Sequence, residues 1–299
     1  MDMLASFSTS RYIRGSVAMN KQKMIWITIL GFFVIYLGSV LIVGHFFSKN
    51  ENISKVIASN TIQKLKVSSE IFHIQFHTSK DQQIHVSLSG RTSQFSKPIL
   101  NISVKNQVLE IHGFDQNIGA VSLRLTNSIA LHIYLPDQKF HSIEIVSEMS
   151  SISSNQTLKA NLLTIKSGLG RISLQGFKGQ QLIASSDIGT ITIGELDSKI
   201  YIESNSGNIK INNWTELKYD NQLHTTRGSI EVGVKQVPNT YYLSLVSNGF
   251  ISTNININRV LKQTQWKMTG INQIEGYTGN IKDNRTHIKM NSDTGKIVI

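Results

Sequence analysis

The sequence predicts an all-β fold, a β-solenoid of stacked strand repeats with coils of about 20 residues, preceded by one N-terminal transmembrane helix. Three observations predict it. A short phrase centred on glycine recurs through the second half of the chain. Apolar and polar residues alternate on both sides of each glycine. An uncharged apolar run lies close to the N-terminus.

The repeated phrase has an isoleucine two residues after its centre and, in most copies, a small hydroxyl residue three residues before it. The glycine centres are Gly170, Gly189, Gly207, Gly228, Gly249 and Gly295. Degenerate copies centre on Ser150 and Gly279. The isoleucines are Ile152, Ile172, Ile191, Ile209, Ile230, Ile251, Ile281 and Ile297. The column three residues before the centre contains Ser147, Ser167, Ser186, Ser204, Thr225, Val246, Gly276 and Ser292. Successive centres lie 16 to 30 residues apart, an interval typical of solenoid repeats.

Each copy predicts a strand, a turn and a second strand, because alternating polarity is the pattern of a strand with one buried face. The glycine supplies the positive φ of the turn. Coils stacked about 4.8 Å apart would bond backbone to backbone, and the isoleucines would form a continuous internal ladder. These features assign residues 143–299 to the solenoid repeats.

Residues 62–142 keep the β pattern without the phrase, and we interpret them as first rungs or as a cap that covers an open solenoid end. The predicted strands cover residues 64–67, 71–77, 83–89, 99–105, 108–112, 121–125 and 129–135. At the other end, the long interval between Gly249 and Gly279 predicts a lateral insertion with Trp266 packed over the coils. The last strand, at Ile297, is expected to close the molecule.

Residues 24–47 carry no formal charge, and about 20 apolar residues are enough to cross a bilayer. A cleavable signal peptide is the alternative, but its apolar region is shorter and ends at a small-x-small site, which does not follow Phe47 directly. Residues 1–23 form a basic tail that places the N-terminus in the cytoplasm. Residues 48–61 are interpreted as a juxtamembrane spacer. The expected location is therefore the cell membrane, with one span and an extracytoplasmic C-terminal domain.

The chain contains no cysteine, which excludes disulfides, thiolate metal sites and a lipobox. Its formal net charge of +11 favours anionic partners such as phospholipid head groups or phosphate-rich wall polymers, although basicity also serves solubility alone. Nucleic acid is not an expected partner, because the lysines and arginines are scattered without interleaved aromatic residues.

Neither catalysis nor metal binding is predicted. Asp187 and Asp293 share a column but are five coils apart in sequence order, and four further acidic residues fall in different columns, namely Glu195, Asp197, Glu203 and Glu231. His73 and His77 are about 13 Å apart on one strand, too far to chelate one ion, and with His85 they are interpreted as surface histidines. The sequence indicates no cofactor, and it identifies no ligand-binding residue.

Residues 131–136 and 140–147, followed by repeated Ser-x-x-Gly-x-Ile-x-Ile phrases, resemble the bacterial "putative adhesin" domain of unknown function. With one N-terminal span, the chain is similar to membrane-anchored LiaG-type proteins encoded beside cell-envelope stress systems in Gram-positive bacteria. The resemblance implies a non-catalytic adhesin, or a protein that binds or scaffolds the envelope through anionic wall polymers or other envelope proteins. The alternatives are a parallel β-helix enzyme acting on polysaccharide and a regulatory partner of an envelope-stress sensor.

Overall fold

The computed structural model describes residues 21–46, 48–93, 96–117, 128–217, 220–237, 239–255, 259–264, 271–278 and 286–299. The chain divides into two compact units, Met1–Phe47 and Ser48–Ile299. The first contains helix α1, Lys21–Phe46, with exposed apolar side chains such as Trp26 and Phe32. Side chains of α1 are described mainly over residues 25–36, and among the described residues no helix is long and apolar enough to cross a membrane. The predicted span of residues 24–47 therefore stays a prediction.

The second unit is all β, as predicted, and the described part of it contains twenty strands. In chain order they are β1 Ser48–Ala58, β2 Lys64–Ser69, β3 His73–Thr78, β4 Gln83–Ser93, β5 Pro98–Lys105, β6 Val108–Asp115, β7 Ala130–Leu135, β8 Phe140–Ser147, β9 Ile152–Leu169, β10 Ile172–Ile188, β11 Ile191–Ser206, β12 Ile209–Glu216, β13 Asn221–Arg227, β14 Ile230–Gln236, β15 Tyr241–Ser247, β16 Ile251–Ser252, β17 Arg259–Thr264, β18 Asn272–Thr278, β19 Thr286–Ser292 and β20 Ile297–Val298.

The strands stack as two layers whose inner faces share one core, and β9, β10 and β11 run through both layers. Layer I has the spatial order β5, β6, β2, β8, the later parts of β9, β10 and β11, then β13, β19, β15, β18 and β17. Layer II has the order β1, β4, β7, β3, the first parts of β9, β10 and β11, then β12, β14, β20 and β16. Pairing is parallel in the middle of both layers, antiparallel at both ends of layer I and at the β1 end of layer II, and parallel at the β16 end of layer II.

The predicted isoleucine ladder is present as a column on the inner face of layer II, with one isoleucine in each rung from β3 to β16. Its members are in register from rung to rung and are buried, in the spatial order Ile74, Ile152, Ile172, Ile191, Ile209, Ile230, Ile297 and Ile251. Ile281 lies outside the described residues. Because each isoleucine packs between its neighbours above and below, burial of apolar surface between rungs stabilises the stack.

The glycine column is needed for close stacking of the turns. Gly170, Gly189, Gly207 and Gly228 have positive φ angles of 150 to 159°, as predicted. At Gly189 a Cβ atom would overlap the carbonyl oxygen of Gly170 on the rung below. A side chain at these positions would therefore be excluded both by conformation and by space.

The column of small hydroxyl residues before the turn is buried, and most of its side chains donate hydrogen bonds to backbone carbonyl groups. Its buried members in spatial order are Ser69, Ser147, Ser167, Ser186, Ser204, Thr225, Ser292 and Ser247. Thr225 Oγ1 donates to the carbonyl oxygen of Gly207 at 2.9 Å, and Ser292 Oγ donates to that of Gly228 at 2.7 Å. These bonds satisfy carbonyl groups that the turn removes from the ladder. The placement of Val246 in this column was wrong, because Ser247 pairs with Ser292 and the turn before Gly249 is one residue shorter.

Both ends of the repeat region are inserted between other coils. The last coil, β19 with β20, lies between the β13–β14 coil and the β15–β16 coil. At the opposite end, β2 and β3 lie between β6 with β7 and β8 with β9. The expectation that the final strand closes the molecule was therefore wrong. Strands β15 and β16 form the outermost coil, and the antiparallel strands β18 and β17 continue layer I beyond β15.

Two further expectations concern the lateral insertion predicted between Gly249 and Gly279 and the end of the stack that contains β5. Because β18 runs antiparallel to β15, Gly276 does not belong to a parallel repeat; Trp266 and Gly279 lie outside the described residues. At the end of the stack that contains β5, β5 and β6 form an antiparallel hairpin and β1 pairs antiparallel with β4, and the interpretation of residues 62–142 as first rungs or a cap stays a prediction. The predicted strand at residues 121–125 also lies outside the described residues.

Strand β1 occupies much of the stretch that we interpreted as a spacer. Ile53 and Ile57 alternate with polar residues and pack against the core, which explains why this charged segment is ordered as an edge strand. Residues 48–61 are therefore part of the β unit. Residues 48–299 contain every member of the core cluster, so this unit carries a complete core of its own.

Gly189→Ala should destabilise the protein by about 3 kcal/mol or more, because the new methyl group overlaps backbone and the residue has a positive φ. Urea unfolding followed by circular dichroism measures the change. Gly113→Ala is the control, since its Cβ would approach a side-chain atom, Phe72 Cδ2, at 3.2 Å. Equal effects of the two substitutions would contradict the stacking argument.

Ile297→Ala should cost about 3 to 4 kcal/mol, although the residue lies two positions from the end of the sequence. Its side chain is fully buried between Ile230 and Ile251, whereas Ile251 lies on the outermost coil. We therefore expect Ile251→Ala to cost less in the same unfolding experiment. If the C-terminal coil lay at the outside of the stack, Ile297→Ala would cost less stability than Ile251→Ala.

Candidate functional site

Asp187 and Asp293 do not form the pair that a glycosidase requires. Asp187 and Asp293 are three rungs apart, rather than five, because the last coil is inserted. Three rungs correspond to roughly 14 Å, wider than the separations of about 5 to 9.5 Å used by glycoside hydrolases. Three further acidic residues lie near lysines: Glu195 Oε1 is 3.9 Å from Lys235 Nζ, Asp197 Oδ2 is 3.9 Å from Lys178 Nζ, and Glu231 Oε1 is 3.2 Å from Lys296 Nζ. The remaining one, Glu203, accepts a hydrogen bond from Tyr201 Oη at 3.5 Å.

The histidines interpreted as surface residues, His73, His77 and His85, have different partners. His77 Nε2 lies 3.1 Å from His132 Nδ1 on the neighbouring strand β7, and its ring stacks on Tyr134 with centroids 4.8 Å apart. His85 Nε2 contacts Asp81 Oδ1 at 2.9 Å, and His73 Nδ1 accepts a hydrogen bond from the Ser151 amide at 3.2 Å. Register across strands, which spacing in the sequence does not reveal, brings His132 to His77.

Burial lowers the pKa of His77, and burial followed by the charge of His77 lowers the pKa of His132. The pKa of Asp81 is lowered first by its hydrogen bond with His85 and then by that with Ser79. Within the described parts of the chain, no three histidine or acidic side chains are grouped so that they could hold a metal ion. The His77–His132 contact is therefore best described as a neutral, partly buried hydrogen-bonded pair.

The outer face of layer I carries a groove that crosses the strands. One part, of about 290 Å³, is lined by residues of β10, β11, β13 and β19, among them Gln181, Tyr201 and Lys289. A second part, of about 700 Å³, extends toward β2 and includes Lys64. Both parts share Gln181 and Lys199. We call these two adjoining hollows together the layer I groove.

Backbone register sets the order of side chains in the layer I groove. Gln181 pairs with Lys199 on the adjacent rung. Tyr201 pairs with Gln222, and Gln222 pairs with Lys289. Each of these positions points outward, because its neighbours along the strand, such as Ile200 and Ile288, are buried. These amide, phenol and ammonium groups therefore form two adjacent rows across four rungs, Gln181 with Lys199 in one row and Tyr201 with Gln222 and Lys289 in the other.

The groove has excess positive charge. In the described part of the chain, Lys64, Lys199 and Lys289 have no carboxylate within ion-pair distance, and the acidic side chain of the groove, Asp220, accepts a hydrogen bond from the His287 amide at 3.1 Å. By contrast, a hollow of about 600 Å³ between β5, β6, β2 and β8 contains Lys66, whose Nζ lies 3.4 Å from Glu110 Oε1. The layer I groove is thus the better candidate for an anionic ligand.

Sequence reasoning did not identify these residues, because it treated the basic side chains as dispersed. Lys199 and Lys289 are 90 positions apart in the sequence but only two rungs apart in layer I, since β13 alone separates β11 from β19. The one available signal was polarity at outward positions of the strands. That signal does not reveal which coils become neighbours.

A family model described as Toastrack DUF4097 matches residues 62–294. Three solved structures are similar to the chain: a putative adhesin from Bacteroides fragilis (13% identity, 83% of this chain and 96% of that chain, TM-score 0.40), a putative cell adhesion protein from Clostridium sporogenes (12%, 84% and 99%, 0.39) and a putative lipid binding protein from Parabacteroides distasonis (11%, 84% and 96%, 0.40). No curated protein matches the chain. The resemblance to the adhesin-like domain family is confirmed; the LiaG-like type is not.

The His77–His132 pair predicts a loss of stability in mild acid. A histidine whose pKa is lowered by folding binds fewer protons in the folded state, so the unfolded state gains stability as the pH falls through about 6.5. We expect the urea midpoint to fall between about pH 7.5 and about pH 5.5, and the fall to be smaller in a His77→Asn, His132→Asn variant. His141→Asn, at an exposed position on β8, is the control and should keep the wild-type pH dependence.

Proposed function

The chain belongs to the Toastrack DUF4097 family, and from this premise we propose that it is a non-enzymatic, adhesin-like protein that binds or scaffolds components of the bacterial cell envelope. The observation that carries the proposal is the long polar outer face of layer I, where the lysines of the layer I groove have no carboxylate partner among the residues that the structure describes. A flat, in-register surface of this kind offers repeated contacts to an extended partner and can bind it without a conformational change. The expected partners are anionic wall polymers or other envelope proteins.

The proposed location is the cell membrane, with one span at residues 24–47, a cytoplasmic tail and an extracytoplasmic β unit. The apolar run and the basic residues before it support this topology. The absence of cysteine in the β unit is compatible with export. An anchor would hold the groove near the cell surface, where anionic polymers are concentrated. A link to envelope stress is part of the same proposal and is supported by the sequence resemblance alone.

The two alternatives make different demands on the chain. A polysaccharide-cleaving enzyme requires two carboxylates facing one substrate bond, and the spacing of Asp187 and Asp293 offers no support for it. A regulatory partner of a stress sensor would act through residues 24–47 and would not need the groove. If the activity of an envelope-stress sensor depended on residues 24–47 and did not require the β unit, the regulatory alternative would be favoured over envelope binding.

Residues 48–299, which carry a complete core, should bind isolated cell walls that retain their anionic polymers, and binding should weaken as salt rises from about 50 to about 500 mM. Walls stripped of those polymers are the control and should retain little protein. Co-sedimentation measures the bound fraction. Failure to bind either preparation would refute an electrostatic envelope-binding role and direct attention to protein partners.

A further inference from the structure

We propose that the layer I groove is a binding site for a polymer with a phosphodiester backbone, of the polyol-phosphate type, lying across the strands. The inference rests on the proposed function and specifies its ligand and its site. Lys64, Lys199 and Lys289 are the cationic contacts. Tyr201, with the neighbouring Gln181 and Gln222, contacts the uncharged part of each repeat.

The direction of the polymer follows from the positions of the lysines. Lys64 and Lys199 lie in one row, separated by four rungs or roughly 19 Å, and Lys289 is two rungs beyond Lys199 and two residues further along the strand, or roughly 12 Å away. A path through the three residues crosses the strands, perpendicular to them from Lys64 to Lys199 and oblique from Lys199 to Lys289. A small anion could bridge none of these distances, whereas a chain with a charge in every repeat would place some charge opposite each lysine.

The side chains between the lysines suit a polyol or sugar spacer. Tyr201 is 41% exposed, and its hydroxyl group donates to Glu203, so the ring is held at the surface with its polar tip already engaged. An exposed aromatic ring of this kind can pack against C–H groups of a ligand. Amides of Gln181 and Gln222 can donate to hydroxyl and phosphate oxygens. Ile183 in the same wall adds an apolar contact.

The choice of cation also favours phosphodiesters. A lysine ammonium is a compact point charge on a flexible stem with rotatable donors, and it contacts a phosphate oxygen from many directions. Among the described residues that line the groove, the cations are lysines and none is an arginine, whose planar fork fixes the orientation of a carboxylate or phosphate. The site therefore suits a flexible chain whose charged groups approach the lysines from different directions.

The test measures binding of a fluorescent glycerol-phosphate oligomer to residues 48–299 by anisotropy at low salt. Lys199→Gln and Lys289→Gln should each weaken binding by about fivefold, and the double variant by more than about tenfold. Tyr201→Ala should weaken binding, and Tyr201→Phe should not. Lys210→Gln is the matched control, because it removes the same charge from the outer face of layer II, where Lys210 faces Glu231 at 3.8 Å.

The outcomes separate this inference from the proposed function. If the wild type binds walls and the oligomer but Lys199→Gln, Lys289→Gln, the double lysine variant and Tyr201→Ala bind equally well, the groove is not the site. If the wild type binds walls but prefers a carboxylated glycan to the oligomer, the phosphodiester assignment is wrong while envelope binding stands. If the wild type binds neither walls nor oligomer, the proposed function fails. Selective weakening by the groove substitutions, with Lys210→Gln unchanged, supports both.

Discussion

In-register pairing of backbones from rung to rung is the constraint on which the structure depends. Parallel strands about 4.8 Å apart place each residue directly above its equivalent in the next coil. A position that must be small, buried or hydroxylated in one coil therefore has the same requirement in every coil. The glycine column shows this most clearly, because a Cβ atom at one turn would enter the carbonyl of the turn below. The sequence repeat is the consequence of this stacking.

The same constraint makes coils interchangeable, and the order in space departs from the order in sequence. The last coil fits between two earlier coils because Thr225, Ser292 and Ser247 are equivalent in their hydrogen bonding and in their burial. An inserted terminal coil has neighbours on both sides, whereas a terminal coil at the outside has one. The coil of β19 and β20 is in this way held inside the stack. Antiparallel strands cover both ends of layer I and the β1 end of layer II, where parallel coils would leave open edges.

This interchangeability also determines what could be predicted from the sequence. The isoleucine ladder, the positive φ of the glycines and the strand–turn–strand unit could be predicted, because each depends on residues within one copy. The insertion of β19 and β20 could not be predicted, because the residues of one repeat do not determine which other repeat pairs with it. The contact between His77 and His132 was missed for the same reason, since it depends on β3 pairing with β7 across 52 residues of chain. Strand β1 was missed because its two isoleucines are diluted by charged residues typical of an edge.

The layer I groove depends on this departure from sequence order. Outward positions carry no ladder constraint, so they are free to vary and can acquire binding residues without disturbing the core. Lys199 and Lys289 become neighbours only because β19 pairs with β13. If the coils followed sequence order, β15 would occupy that place and Ser244 would stand where Lys289 stands, since these two residues are in register. The contribution of Lys289 to the charge of the groove therefore depends on insertion of the C-terminal coil beside β13.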